Sequence, residues 1–317
     1  MGEKKNGKLL IVGGAGYIGS AVKEHLTQEG WETHVIGKDR TGKNYPYYKN
    51  DVHFVRDLRF NPLYLDTFEH VIYLGGVSSV GQGKDLDRAG ASISDFVEFC
   101  NSLPESFRAL GGKKKLLYAS SASVYGKQGK DFLYISEGTE LHPPVSYYDW
   151  TKQTNDRFLG LTGSLNAYSL RFGTVCGYSP NPRIDVFVPS LLYSWKTLGY
   201  ARVSSPAAYR TLLGMRDLCW YISGILASPV YAPGVYNLGS VSGSIGDLAQ
   251  KISEYTGVPL LTSPEDNSLY SFEQSMRKIQ SIFGLSPTQS LGDIVEDCLR
   301  IDWEKVKDNP VKFRRDA

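Results

Sequence analysis

The sequence predicts an α/β fold built on a doubly wound parallel sheet. Three observations predict it: short apolar runs alternate with helix-like stretches, a glycine-rich turn joins the first run to the first helix, and a hydroxyl-rich segment ends a later run. Lys8–Val12 is short and apolar enough for a strand, and the stretch Ile18–Gln28 after it is amphipathic. Gly30 punctuates, and Thr33–Ile36 reads as the second strand. His53–Val55, Val71–Leu74, Leu116–Ala119 and Ala167–Leu170 continue the series. The second half is more broken, with Pro180, Pro182, Pro189, Pro206, Pro229 and Pro233 between helix-like stretches near Leu218–Leu226, Ile245–Tyr255 and Leu291–Ile301. No internal repeat or low-complexity tract is evident.

Composition narrows the class. With 317 residues, 41% hydrophobic and 21% charged, the chain can bury a core as an ordinary globular protein does. A net charge of +2 creates no field for nucleic acid or an anionic membrane, and the runs Lys4–Lys5 and Lys113–Lys115 are short. Cys100, Cys176, Cys219 and Cys298 are far apart and form no CxxC pair, so neither zinc nor a disulfide framework is expected, which fits a reducing compartment. The opening MGEKKNGKLLIVGG lacks the apolar stretch of a signal peptide, and Asn6 stands where a myristoylation pattern has Ser or Thr. No run approaches the roughly 18 apolar residues of a membrane span. The expectation is a cytoplasmic protein with no metal, no nucleic-acid partner and no membrane attachment.

The glycine turn Gly13-Gly14-Ala15-Gly16-Tyr17-Ile18-Gly19 lies directly between the first strand and the first helix. Glycines there permit a tight turn and let a pyrophosphate approach the helix N-terminus, so a dinucleotide cofactor is expected. In NAD-binding sheets an acid usually ends the second strand and holds the ribose 2′-hydroxyl. Here Gly37 occupies that place, and Lys38 and Arg40 flank Asp39. Cations at that point could accommodate a 2′-phosphate, so the cofactor is NAD or NADP, with the basic pair favouring NADP.

Tyr148-Asp149-Trp150-Thr151-Lys152 sets a Tyr and a Lys four apart, on one face if the stretch is helical. A free phenol titrates near 10, too high for an efficient base, and a nearby ammonium would draw it down. With 21 tyrosines in the chain the pair alone carries little weight. More comes from the run Leu116–Gly126, where an apolar strand ends in Ser120-Ser121-Ala122-Ser123, at the carboxyl edge where doubly wound sheets bind ligands.

Taken in order, GGAGYIGS, VIYLGG, SSASVYG, YDWTK, LRFGTVCG, RTLLGMRDL and YNLG resemble the extended short-chain dehydrogenase/reductase superfamily, in its UDP-glucose 4-epimerase-like NAD-dependent epimerase/dehydratase branch. The resemblance runs from about Leu9 towards the C-terminus. It implies a Rossmann-type sheet over residues 1–175 and a smaller, interleaved substrate-binding part over 176–317, with part of 205–245 returning to the sheet. It implies Tyr148 as acid/base, Lys152 as its partner and holder of the nicotinamide ribose, and Ser121 as the assisting hydroxyl. Gly13, Gly16, Tyr17, Ile18 and Gly19 would meet the cofactor's phosphates, Asp57 and Leu58 its adenine, and Leu74, Gly75 and Gly76 would run along it. Arg210 would grip the substrate's pyrophosphate, a task suited to guanidinium geometry, with Ser78, Ser123 and Thr174 also against substrate.

The departures are informative. Ala122 and Ser123 stand where dehydratases carry an Asp-Glu pair, which argues against water elimination. The Asn common in the helix after Val71–Leu74 is not evident, Asp87 and Ala89 being the nearby residues. The loop Ser179–Asp185 is similar to that of lipopolysaccharide-type epimerases and points to a sugar nucleotide without naming one. The expected activity is a nucleotide-sugar epimerase using transient hydride transfer. An NADP-dependent ketosugar reductase, or a non-enzymatic dinucleotide sensor, would fit much of the same pattern. A homodimer paired through the helix carrying Tyr148 and the helix after Val71–Leu74 is also implied.

Overall fold

The computed structural model describes residues 6–37, 60–78, 85–128, 134–263 and 270–308. In chain order, β1 (Lys8–Val12), α1 (Tyr17–Gln28) and β2 (Glu32–Ile36) are followed by α2 (Pro62–Leu65), β3 (His70–Tyr73) and α3 (Leu86–Ser102). Next come β4 (Lys115–Ser121), a 3-10 turn over Ala122–Tyr125, β5 (Tyr134–Ile135), α4 (Tyr147–Thr162) and β6 (Ala167–Phe172). The remainder holds β7 (Thr174–Cys176), α5 (Phe187–Leu198), β8 (Ala201–Val203), β9 (Tyr209–Gly214), α6 (Met215–Ala227) and β10 (Gly234–Leu238). It closes with β11 (Val241–Ser244), α7 (Ile245–Thr256), β12 (Leu260–Thr262), β13 (Glu273–Gln274), α8 (Arg277–Phe283), α9 (Leu291–Leu299) and α10 (Trp303–Asp308). The expected strand His53–Val55 lies outside the described residues.

Six strands pair in parallel in the order β10-β6-β4-β3-β1-β2, a Rossmann-type sheet. Alternation along β1 explains its two covers. Leu9 and Ile11 point into one core with Val22 and Leu26 of α1 and with Leu218, Ile222 and Ile225 of α6. Leu10 and Val12 point into the other, with Phe96, Phe99 and Cys100 of α3. Each such side chain, wholly removed from water, contributes about 1.5–3 kcal/mol. A strand buried on both faces reads as an unbroken apolar run, which is why β1, β3 and β4 stand out in the sequence.

The second half is not a separate block in sequence. β10 crosses back to pair with β6, Tyr236 lying beside Leu170. The rest of that half builds a three-stranded sheet, β11-β9-β7, whose core joins Val188 and Leu192 of α5, Leu248 and Ile252 of α7, and Ile294, Val295 and Cys298 of α9. Among the described residues no helix is long and apolar enough to cross a membrane.

Strand order reverses around β1, which has β2 on one side and β3 on the other. Ligands of open α/β sheets sit in the crevice at such a switch, beyond the carboxyl ends of the strands. In register, Val12 pairs with Tyr73, Tyr73 with Tyr118, and Ser121 with Phe172. The glycine turn, Leu74–Gly76, Ser121–Ser123 and Gly173–Thr174 therefore all leave the sheet at one edge.

Candidate active site

The glycine turn has the shape a pyrophosphate requires. Gly13 has φ +83, and a side chain there would meet the Leu74 carbonyl carbon at 2.8 Å. A Cβ on Gly19 would lie 2.4 Å from the Gly13 carbonyl oxygen and 2.5 Å from Gly14 Cα. The two glycines thus let α1 and the end of β3 press against the turn. Gly16 caps α1 without offering a side-chain acceptor, so the first-turn N–H groups and the positive end of the helix remain available to an anion. These residues fit the phosphates of a dinucleotide.

Tyr17 and Ile18 have other tasks for their side chains. Tyr17 is buried and donates its hydroxyl to the Gly177 carbonyl at 3.1 Å, while Ile18 packs against the core under α1. Only their backbones can face a phosphate. Ser179 and Asn181 come from the loop after β7 and bond the Tyr17 and Ala15 carbonyls at 2.6 and 2.8 Å, tying that loop to the turn. Lys38, Arg40, Asp57 and Leu58 lie outside the described residues. Gly37, where an acid would hold a ribose, lies against Ala15 of the turn.

Leu74, Gly75 and Gly76 continue β3 along the turn, Leu74 N–H bonding the Val12 carbonyl at 2.8 Å. Gly76 has φ +104, and a Cβ would meet Ser92 Oγ at 2.6 Å. Ser92 also accepts from Val77 N–H, so it is the polar residue of α3 that supports this loop, whereas Asp87 is exposed and Ala89 is core. The Ser78 carbonyl accepts from Arg183 Nη1 at 3.0 Å.

Helix α4 brings the chemistry together. Ser146 caps it, accepting from Asp149 N–H at 3.2 Å, and Gly163 ends it in the left-handed region. Its buried face is unusual in being polar: Asp149, Thr151, Lys152, Gln153, Asn155 and Asp156 are all buried. Each of the longer groups is held. Lys152 donates to the Ala119 carbonyl at 2.7 Å, and its ammonium lies 5.1 Å from the Tyr118 ring and 5.8 Å from the Tyr148 ring. Gln153 bonds the Val124 and His142 carbonyls, both at 2.7 Å, and so fixes the 3-10 turn against the helix. Asn155 reaches the Tyr118 hydroxyl at 3.0 Å. Asp156 pairs with Arg171 at 2.9 Å and accepts a further bond from Ser169.

The Ser121 hydroxyl at the end of β4 acts on the Tyr148 phenol and favours its ionised form. Ser121 Oγ accepts from Ser123 N–H at 3.2 Å and from Ser123 Oγ at 3.0 Å, which leaves its own proton for the phenolic oxygen. The Ser123 hydroxyl is therefore directed at Ser121 rather than at open space. Burial pushes the Tyr148 phenol above its ordinary value, while the Ser121 bond and the Arg183 guanidinium pull it down. Loss of solvent thus raises the phenol, where the sequence suggested that an ammonium would draw it down. Burial also lowers Lys152, to about 8, against the opposing pull of the Asp156 carboxylate.

Arg183 was not singled out from sequence. It forms a two-pronged pair with Asp185, at 2.6 and 3.0 Å, and its charge is felt at Tyr148 and Tyr17. Thr174 follows β6 at the sheet edge, half-buried on β7. Arg210 lies on β9, donating to the Tyr209 carbonyl at 2.8 Å and to the Tyr270 carbonyl, with the Tyr270 ring 5.9 Å from its guanidinium. The site thus joins Tyr148, Lys152, Ser121 and Ser123 directly, with Arg183 close by. Arg210 connects to them through Tyr270, whose hydroxyl bonds Asp149 at 2.5 Å.

Residues 9–239, the span from β1 through β10, match the NAD dependent epimerase/dehydratase family. The chain belongs to that family. It is an NAD-dependent enzyme of the epimerase/dehydratase kind, and its curated relatives include UDP-glucose 4-epimerases. The enzyme of Corynebacterium glutamicum is 26% identical over 275 residues, covering 80% of this chain and 82% of the relative. That of Streptomyces lividans is 28% identical over 174 residues, 52% of this chain and 50% of the relative, so the match spans half of that enzyme. Among solved structures, a UDP-glucose 4-epimerase from Stenotrophomonas maltophila with bound NAD and formylated UDP-arabinopyranose superposes with a TM-score of 0.75 at 19% identity, covering 96% of this chain and 100% of that one. A Bacillus cereus UDP-glucuronic acid 4-epimerase, in complex with UDP-glucuronic acid and NAD, gives 0.71 at 21% identity, with 95% and 99% covered. At these identities the solved structures speak for the fold.

Proposed function

We propose that the chain is a nucleotide-sugar epimerase with Tyr148 as its acid/base group. The observation that carries this reading is the meeting of Tyr148, Ser121 and Lys152 at the carboxyl edge of the sheet. NAD, when bound, supplies a reversible hydride acceptor for the sugar carbon. Tyr148 takes the hydroxyl proton as that carbon is oxidised and returns one as the ketone is reduced from its other face. Ser121 donates to the phenolic oxygen and so favours the phenolate, and the Lys152 ammonium adds positive field beneath the ring. Gly13, Gly16 and Gly19 let the cofactor's phosphates reach α1, and Leu74–Gly76 run along it. Ala122 and Ser123, where an acid and base for water elimination would stand, favour epimerisation over dehydration. The relatives' names support a nucleotide sugar as substrate, and four free, buried thiols fit a cytosolic setting.

Purified protein should be offered UDP-, GDP-, dTDP- and CDP-sugars, with products followed by NMR and mass spectrometry. Interconversion at unchanged mass, without added reductant, is expected. Products heavier by a hydrogen pair and formed only with NADPH would make the chain a ketosugar reductase. Bound cofactor with no turnover of any sugar would leave a dinucleotide sensor, a reading the assembled Tyr148, Lys152 and Ser121 count against.

Arg210 is the proposed grip on the substrate's pyrophosphate, with Ser78 and Thr174 also lining the sugar site. Hydrogen bonds to charged groups are worth about 1.5–3 kcal/mol. Arg210→Ala should raise KM for the nucleotide sugar by roughly ten- to a hundredfold, at about 1.4 kcal/mol per tenfold, with a smaller change in kcat. An unchanged KM removes Arg210 from the substrate site.

Lys38 and Arg40 favour a cofactor 2′-phosphate, whereas the solved neighbours named above carry NAD. Replacing both by Ala should weaken NADP binding more than NAD binding in calorimetry. Equal losses would make the pair a solvated loop.

The chain is also proposed to pair as a homodimer through α3 and α4, closed two-fold dimers being the commonest oligomers. Light scattering should give twice the 35.2 kDa chain mass, and a monomer mass at micromolar concentration would exclude pairing.

A further inference from the structure

Asp149 is the residue in this site whose placement the proposed chemistry does not yet use. It follows Tyr148 in the first turn of α4, is 0% exposed, and has one oxygen, Oδ1, with no hydrogen-bond partner among the described residues. Its other oxygen accepts from Ser146 Oγ at 2.8 Å and from the Tyr270 hydroxyl at 2.5 Å. A buried carboxylate with an unmet oxygen is costly, and Asp149 meets it beyond its reciprocal cap with Ser146 at the start of α4. Tyr270 comes from the segment before β13, more than a hundred residues away; it packs beside Phe272, and it also meets Arg210, its carbonyl accepting from Arg210 Nη1 and its ring lying beneath the guanidinium.

We infer that Tyr270 and Asp149 are positioning residues that join the substrate grip at Arg210 to the acid/base Tyr148. The inference rests on the epimerase reading above and assigns to that site two residues beyond Tyr148, Lys152 and Ser121. Four elements supply the polar and charged groups around the phenol: Lys152 and Asp149 from α4, Ser121 and Tyr118 from β4, Arg183 from the loop after β7, and Tyr270 from the segment before β13. Asp149 supplies the negative charge in this set closest to Tyr148 along the chain, and it opposes the phenolate. The Tyr270 O–H, aimed at that carboxylate, offsets part of its field. The residue that steadies Arg210 thereby also sets how much of Asp149 the phenol feels.

The test needs two variants with opposite signs. Asp149→Asn removes the charge, so Tyr148 should ionise at lower pH. Tyr270→Phe keeps the ring and carbonyl that hold Arg210 but exposes the full carboxylate, so Tyr148 should ionise at higher pH. Each shift should be on the order of one pH unit. It is read as the limb of the kcat profile and, independently of turnover, as the Tyr148 resonance in ¹³Cζ-tyrosine NMR, assigned by its loss in Tyr148→Phe. KM for the nucleotide sugar should stay within about threefold in Tyr270→Phe, because the contacts to Arg210 remain. Opposite shifts support the inference, and shifts of the same sign or none in either variant overturn it. Should Asp149→Asn fail to fold, Tyr270→Phe decides alone: an upward shift supports, and an unmoved resonance overturns. If no sugar nucleotide is turned over by the wild type, the epimerase reading fails while the NMR titration still judges the Asp149–Tyr270 coupling.

Discussion

Tyr148→Phe is expected to lower kcat by about 10²–10⁴-fold, the usual worth of general acid–base catalysis, while leaving the fold and dinucleotide binding intact. The substitution removes one oxygen. The ring stays over the Lys152 ammonium, and Ser121 keeps its bonds to Ser123, so the local geometry has no reason to collapse. Burial holds the phenol above its ordinary value, with Ser121 and Arg183 pulling the other way. It follows that Ser121→Ala should raise the phenol further and move the pH at which half of maximal kcat is reached upward. The measurements are steady-state kinetics with the best sugar nucleotide and calorimetric titration with NAD. Turnover of the Phe variant within a few-fold of wild type would end the assignment.

The second large effect is on stability. Asp156→Ala is expected to cost about 3–5 kcal/mol, because it leaves the Arg171 guanidinium buried without its counter-charge. Both side chains are almost wholly inside, Asp156 2% and Arg171 5% exposed, and lie 2.9 Å apart. Arg171 Nη1 already lacks a hydrogen-bond partner among the described residues, and the Tyr125 ring, 4.7 Å from the guanidinium, brings no full negative charge to replace the carboxylate. In urea the midpoint should fall at an unchanged slope. Replacing the pair together, Asp156→Leu with Arg171→Met, should cost less than the single change, since the desolvation of both ions is then avoided. A single-variant loss below about 1 kcal/mol would show that water or backbone takes over the role of Asp156. The pair also lies one turn beyond Lys152 on α4, and its carboxylate opposes the lowering of Lys152 by burial. Loss of Asp156 should therefore make Lys152 easier to deprotonate, with the alkaline loss of activity beginning at lower pH.

The relation of sequence to structure can be followed residue by residue. β1, β3, β4 and β6 were legible because strands buried on both faces demand apolar runs, and local patterning carries that demand. The glycine turn was legible because Gly13 and Gly19 answer a backbone need that no other residue meets without collision. Tyr148 and Lys152 were legible because four residues along a helix place them on one face. Strand ends shifted by only one or two residues, as with Glu32–Ile36 against the expected Thr33–Ile36.

Other features were not legible. Tyr17 lies inside the glycine turn, yet its side chain turns to Gly177, a contact 160 residues distant. Ser92, rather than Asp87 or Ala89, supports the loop after β3, because Gly76 brings the backbone to it. Gln153 appears as an ordinary helix residue until the 3-10 turn and the His142 carbonyl close around it. Arg183 and Tyr270 reach the site from loops whose sequences have no period to read. By itself the sequence determined what depends on neighbours along the chain: strand and helix periodicity, the glycine geometry, and the Tyr–Lys spacing. The tertiary structure alone decided how these are electrostatically set. The ionisation of Tyr148 and Lys152 depends on burial and on Ser121, Arg183, Asp149 and Asp156, and charge acts through space, where chain separation has no meaning.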